Sequence, residues 1–399
     1  MKSWPGVDRP LVPVKINSLE LIDAMSGQLK TVNVPKTTSY IYVCGITPYD
    51  STHIGHATTY VFFDVLHRVL LSSGHPIVMI ENVTDIDDPL FTKAAELKRD
   101  WQELASEQVA RFRKDMTLLR VLPPEHFVSV SEVLEKVVRD IEMLLQNENA
   151  YLLNGDIYFK YQGQSATEEE IDTFRERGGD PDRADKRHPL DALLWKCIDE
   201  QPHFPSPWGY GRPGWHIECV SIIENYAGQP LLIQAGGSDL KFPHHRMSSQ
   251  QYCALTGEPK LADVYFHVAM VNYQGEKMSK SLGNLVFVDE LLHQGYSAME
   301  IRYAILMQDY TKPWQWTSEV LDVAKSRYQK MMAALSCEVT AEADPTIAEM
   351  VRALRNNLDS RSALAALDHW ADLTLSVQGS HTDAGVLSRT IDALLGIGT

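Results

Sequence analysis

Between residues 39 and 86 the sequence permits few topologies. Ser39 to Ile46, SYIYVCGI, is rich in β-branched and aromatic residues and predicts a strand. The small and polar TPYDSTHIGH follows, then ATTYVFFDVLHRVLLSSG, apolar at helical spacing and stopped at Gly74. HPIVMIENVTDID predicts a second strand. Strand, loop, helix and strand in that order form a βαβ unit, which requires a parallel sheet. The rhythm resumes in QPLLIQAGGSD, a helix from about Pro243, and the strand DVYFHVAMV. In between, residues 89–121 predict long helices, residues 131–147 another, and YLLNGDIYFKYQ a β-rich stretch. From Ser318 onward the chain is helical and rich in Ala and Leu, with a break near Asp344 and Pro345. The expected fold is α/β: a doubly wound parallel sheet, interrupted by an insertion and followed by a C-terminal α-helical domain. The expected divisions are 1–129 for the first half of the catalytic domain, 130–205 for the insertion and 206–275 for the second half. A connecting region over 276–317 and the helical domain over 318–399 complete the chain.

A length of 399 residues suits two or three domains. No run of about 18 apolar residues exists, and the start MKSWPGVDRPLVPVK lacks an apolar signal core, so neither a membrane span nor a secretory signal is expected. Lys+Arg 37 against Asp+Glu 53 gives a formal charge of -16, which disfavours a partner held by many phosphate contacts. The cysteines, Cys44, Cys197, Cys219, Cys253 and Cys337, are odd in number and scattered. They read as reduced thiols in a cytoplasm, some with metal or catalytic use.

Three constellations carry chemistry. His53-Ile54-Gly55-His56 lies between the first strand and its helix, where free N–H groups and the helix dipole favour an anion. Alone, the two histidines are equally readable as helix caps. Lys277-Met278-Ser279-Lys280-Ser281 lies in QGEKMSKSLGN after the last strand of the βαβ pattern, and its paired lysines suit a polyphosphate leaving group. Cys44, Cys219 and His244 fall near strand carboxyl ends, where doubly wound sheets hold ligands. Their spacing is not CxxC, so the residues alone leave open either buried structural thiols or a zinc set with an open fourth position.

HIGH followed by KMSKS on this scaffold identifies a class I aminoacyl-tRNA synthetase-like adenylating enzyme, with a Rossmann-like catalytic sheet. CGITPYD, HIGHA, NVTDIDD, ERGGDP, LLWK, PSPWGYGRPGWHIEC, GGSDLKFPHH and KMSKSLGN together resemble cysteinyl-tRNA synthetase over about residues 39–316. Three features depart from it. Where the synthetase has a glutamate ligand four residues after its histidine, Ser248 stands here. Only 118 residues follow Ser281. Residues 319–399 hold 7 Lys+Arg against 11 Asp+Glu, without an evident basic face for RNA. With these three departures the whole length, from MKSW to IDALLG, is similar to the cysteine:glucosaminyl-inositol ligases of mycothiol biosynthesis, a family resembling a shortened cysteinyl-tRNA synthetase, which ERGGDP at residues 176–181 also fits.

This resemblance implies an ATP-dependent, AMP-forming carbon–nitrogen ligase. L-cysteine is activated as cysteinyl-adenylate and joined to the amine of glucosaminyl-inositol. The resemblance further implies one Zn²⁺ held by Cys44, Cys219 and His244, and ATP accompanied by Mg²⁺. His53 and His56 would contact the phosphates. Lys277 and Lys280, with Met278, Ser279 and Ser281 in the same loop, would attend the departing pyrophosphate. Gly45, Ile46 and Thr47 would hold the adenylate, and Thr59, Asn82, Val83, Thr84, Trp215, Gly237, Ser238, Asp239 and Val271 would line the pocket. Asp239 would hold the cysteine ammonium or take up a proton. Neither tRNA nor membrane is an expected partner, and the expected state is a cytoplasmic monomer. A truncated synthetase charging tRNA is the alternative.

Overall fold

The computed structural model describes residues 1–12, 14–49, 51–278, 283–376 and 381–398, with the Lys277 side chain also outside the description. The five-stranded central sheet is wholly parallel, in the order Ala262–Val268, Leu231–Gly237, Ser39–Ile46, Ile77–Val83, His126–Ser129. Chain order therefore reverses between Leu231–Gly237 and Ser39–Ile46. The carboxyl ends of these two neighbours open a crevice at the switch point, the place where such sheets take ligands. Strand Ser39–Ile46 is almost continuously buried, as expected of a strand covered on both faces. Its crossover helix, Ile54–Leu71, is buried nearly all round.

Helix Val130–Gln146 leads into a second, antiparallel sheet, ordered Ala150–Leu153, Asp156–Phe159, Ala192–Cys197, Gly211–Pro213. Asn154 and Gly155, both at positive φ, turn its first hairpin. Helix Glu168–Glu176 follows that hairpin and packs against residues 241–245, beside the switch point. A small three-stranded sheet, Glu276–Lys277, Val271–Tyr273 and Trp314–Trp316, joins the catalytic core to the helical tail. The tail forms helices Ser318–Leu335, Ala343–Arg355, Ser360–Ser376 and Ala384–Leu395. Pro345 sits in a first helical turn, where its missing N–H costs nothing.

An N-terminal hairpin, Ser18–Asp23 with Gln28–Asn33, had no sequence prediction. It is tied to the sheet edge by Asp23 Oδ1, which accepts from the Tyr265 amide at 2.9 Å. Among the described residues no helix is long and apolar enough to cross a membrane.

Candidate functional site

The crevice is lined first by sulfur and imidazole. Cys44 stands near the end of strand Ser39–Ile46, and Cys219 on helix Trp215–Ala227. His244 follows strand Leu231–Gly237. All three are buried, and their ligand atoms lie within 4.8 Å of one another. The two thiols titrate together. Burial pushes Cys44 well up, whereas the hydrogen bond from Cys44, aided by the His244 charge, holds Cys219 well down. Two buried cysteines, one of them biased toward its charged form, beside an imidazole are a donor set suited to a soft, tetrahedral cation.

Around this set lies a shell of histidines that the motifs did not single out. His245 Nε2 is 3.1 Å from Cys44 Sγ, and its Nδ1 is 2.7 Å from His267 Nε2. His216 Nδ1 is 3.0 Å from His244 Nδ1. Burial lowers the pKa of all three outer histidines, that of His267 to about 4, so they sit neutral and orient the inner residues. Gly236 makes room for this arrangement, because a Cβ there would stand 2.7 Å from the His245 ring. The signal was present in GWH and PHH, but each of these histidines acts through a contact remote in sequence. Ser248 Oγ donates to the His244 carbonyl at 2.8 Å, one helical turn back, so its hydroxyl serves the backbone.

Trp215 lies one turn before Cys219, and its ring stacks on His244 with centroids 4.2 Å apart. At the end of the first strand, the Gly45 amide donates to Asn82 Oδ1 at 2.9 Å, and Asn82 Nδ2 donates to Thr84 Oγ1 at 3.0 Å. A Cβ on Gly45 would meet the Asn82 carbonyl oxygen at 1.7 Å. The Thr84 amide donates to the Ile46 carbonyl, and the strand register shifts between Val43 and Ile46, opposite Val83. Gly45, Ile46, Asn82, Val83 and Thr84 are thus one knitted patch. Thr47 Oγ1 donates to Asp87 Oδ2 at 3.1 Å, and burial pushes the Asp87 carboxyl up to about 6.

His53 caps helix Ile54–Leu71, its Nδ1 accepting from the His56 amide, and the two rings stack at 3.9 Å. Gly55 lets them lie so close, because a Cβ there would sit 2.8 Å from the His53 ring. Thr59 Oγ1 is turned to the Gly55 carbonyl of its own helix. Gly237 ends strand Leu231–Gly237, and Ser238 and Asp239 open the short turn that leads to His244. Asp239 Oδ2 accepts from Arg177 Nη1 at 3.4 Å. Val271 and Met278 are buried in the main core, and the Met278 amide donates to the Val271 carbonyl at 2.9 Å. Lys277 pairs with Asn272 through its backbone. Its side chain, and Ser279, Lys280 and Ser281, lie outside the described residues.

Comparisons agree with the architecture and narrow the chemistry. Residues 30–326 match the family model of the class I (C) tRNA synthetase catalytic domain. Over its whole length the chain is 42% identical to the L-cysteine:1D-myo-inositol 2-amino-2-deoxy-alpha-D-glucopyranoside ligase of Thermobifida fusca, covering 98% of that protein. It is 44% identical to the enzyme of the same name from Streptomyces griseus, covering 100% of each. Among solved structures, Mycobacterium tuberculosis methionyl-tRNA synthetase with methionyl-adenylate aligns at TM-score 0.60 and 16% identity, covering 90% of this chain and 89% of that one. The LeuRS of Agrobacterium radiobacter K84 aligns at TM-score 0.63 and 10% identity, covering 91% and 84%. These two likenesses speak for the fold alone.

Proposed function

The chain belongs to the family of L-cysteine:1D-myo-inositol 2-amino-2-deoxy-alpha-D-glucopyranoside ligases, built on the class I synthetase catalytic domain, and from this premise we propose how its site works. It is an ATP-dependent ligase that activates L-cysteine and joins it to the amine of glucosaminyl-inositol, the reaction assigned to mycothiol biosynthesis. The cysteine carboxylate attacks the α-phosphorus of ATP and pyrophosphate leaves. The acceptor amine then attacks the acyl carbon, forming the amide as AMP leaves.

Such a reaction needs positioning and charge stabilisation more than covalent help. The knitted patch of Gly45, Ile46, Thr47, Asn82, Val83 and Thr84 receives the adenylate, together with Thr59, Trp215, Gly237, Ser238 and Val271. His53 and His56, at a helix N-terminus, meet the phosphates. Lys277 and Lys280, with Met278, Ser279 and Ser281 shaping their loop, meet the charge gathering on pyrophosphate; Mg²⁺ enters with ATP. Asp239 would either hold the cysteine ammonium or take a proton from the attacking amine. Cys44, Cys219 and His244 would hold Zn²⁺, which supplies a soft site that prefers the substrate thiol to a serine hydroxyl. Discrimination by a strong contact that the competitor lacks makes an editing domain unnecessary.

The observation that carries this reading is the buried Cys44–Cys219–His244 cluster at the switch point, with Ser248 turned to the backbone. We infer a cytoplasmic monomer that does not use tRNA. The test supplies ATP and cysteine with either glucosaminyl-inositol or tRNA and identifies products by mass spectrometry. The expected product is the cysteinyl amide of the amino sugar, without cysteinyl-tRNA. Charging of tRNA with inertness toward the sugar would return the chain to the synthetases.

A further inference from the structure

Residues 176–181, ERGGDP, have so far no part in the chemistry, yet their fold is tightly specified. They close helix Glu168–Glu176 in the insertion. Gly178 is at φ +86, a conformation that costs other residues. Gly179 lies under the Phe174 ring, where a Cβ would come within 2.5 Å. Asp180 accepts from the Tyr158 hydroxyl and from Lys186 Nζ, the latter at 3.0 Å. The Lys186 side chain is 2% exposed, beneath both Tyr158 and Phe174. The turn is therefore anchored on both sides, and what it leaves projecting is Arg177.

The Arg177 guanidinium leaves the insertion and reaches Asp239, just past the end of strand Leu231–Gly237. The insertion cannot swing away easily. Glu170 pairs with Arg246, and Phe174 packs in one cluster with Met247, three residues beyond His244. The Arg177–Asp239 pair itself is open to solvent, with side chains 35% and 25% exposed, and an ion pair at 3.4 Å in such a setting contributes little to stability. A rigid turn that delivers so weak a pair to the mouth of the site makes sense as ligand chemistry. Guanidinium N–H donors and carboxylate acceptors side by side match a molecule whose surface is hydroxyl groups.

Resting on the ligase reading above, we propose that Arg177 is a specificity-determining residue for the acceptor, donating hydrogen bonds to hydroxyl oxygens of the amino sugar–inositol while Asp239 receives its polar hydrogens. Cysteine activation precedes acceptor binding in this scheme and does not need Arg177.

The experiment uses the full chain and reads the two half-reactions separately. Cysteine-dependent ATP–pyrophosphate exchange reports activation, and amide formation against glucosaminyl-inositol concentration reports the acceptor. Arg177→Ala should leave exchange within about twofold and raise the acceptor KM by about ten- to a hundredfold, the loss of one or two charge-assisted hydrogen bonds. Arg177→Lys should recover part of that loss. An unchanged acceptor KM in Arg177→Ala overturns the proposal, and so does a parallel fall in exchange and ligation. If the unaltered protein exchanges pyrophosphate but makes no amide with this acceptor, the ligase reading fails instead, and the proposal with it.

Discussion

Ser248 and Cys219 show how much one side chain decides. Ser248 stands one turn after His244, where the synthetase resemblance would place a fourth ligand, and gives its hydroxyl to the His244 carbonyl. The set offered by the described residues is thus two sulfurs and one imidazole, one ligand short of a tetrahedron. Purified protein should carry about one Zn²⁺ per chain. Cys219→Ala should lose most of it, measured by metal analysis of dialysed protein, whereas Cys337→Ala should keep it, because Cys337 is a half-buried thiol in the helical tail, just after helix Ser318–Leu335. Full metal in Cys219→Ala would show that the cluster is only a buried thiol pair. Cys44 and His244 were expected at strand ends and lie there, whereas Cys219, expected near a strand end, lies on helix Trp215–Ala227; the three were legible as a set only through the family motifs that contain them. His245 and His267 were not, because their roles arise from a 2.7 Å contact between elements 22 residues apart in sequence. Nothing in local spacing encodes that contact. Arg177 was hidden for the same reason: ERGGDP was visible as a string, but its partner Asp239 lies 62 residues on.

At the scale of elements, the proposed adenylation chemistry falls on the strand-end patch and on the hairpin that carries Lys277. Gly45 is the patch's test. Its amide meets Asn82 and its Cα lies against the Asn82 carbonyl, so Gly45→Ala must push two neighbouring strands apart at the crevice. We expect a loss of about 1–3 kcal/mol by denaturant titration, with exchange activity falling further than stability does. Wild-type stability with wild-type exchange would mean that the patch yields freely. The hairpin Val271–Tyr273 with Glu276–Lys277 brings the Lys277 backbone to the rim of the core. Lys277→Ala should slow pyrophosphate exchange by about a hundredfold while cysteine affinity stays near wild type, since charge on pyrophosphate peaks in the transition state. Equal losses in both would assign the lysine to ground-state binding. Helix Val130–Gln146 was readable in advance from its period, and strand Ser39–Ile46 from its β-branched and aromatic content. The short strand Gly211–Pro213 was not, because its three residues have no period and depend on the neighbouring strand Ala192–Cys197.

Across the whole molecule, a buried charge cluster fastens the helical tail to the catalytic sheet. Asp64 on the crossover helix accepts from Arg68 Nε at 2.7 Å, from Arg302 Nη2 and from the Leu122 amide at 2.8 Å. Both guanidinium groups are fully buried and spend their other N–H groups on carbonyls at helix ends. Arg68 donates to the Asp392 and Arg120 carbonyls, and Arg302 to the Leu395 and Leu119 carbonyls. The last turn of helix Ala384–Leu395 is thereby capped by two side chains of the catalytic half, and the tail is a continuation of the main core. Asp64→Ala would leave two buried cations facing each other, a loss of about 3–5 kcal/mol, read as a lowered midpoint in guanidinium unfolding. The sign of its pH dependence comes from the same geometry. Burial alone would raise the Asp64 carboxyl, but the charges of Arg68 and Arg302 outweigh it and hold the group below its ordinary value. A carboxyl depressed in the folded state stabilises fully above the unfolded pKa of about 4, and that stabilisation is lost as pH falls through the folded value. The difference between wild type and Asp64→Ala should therefore be flat from about pH 6 to 8 and shrink only in acid. A difference that grew as the pH fell below about 5 would show that Asp64 is neutral in the native protein and that the two arginines are held by the carbonyls alone.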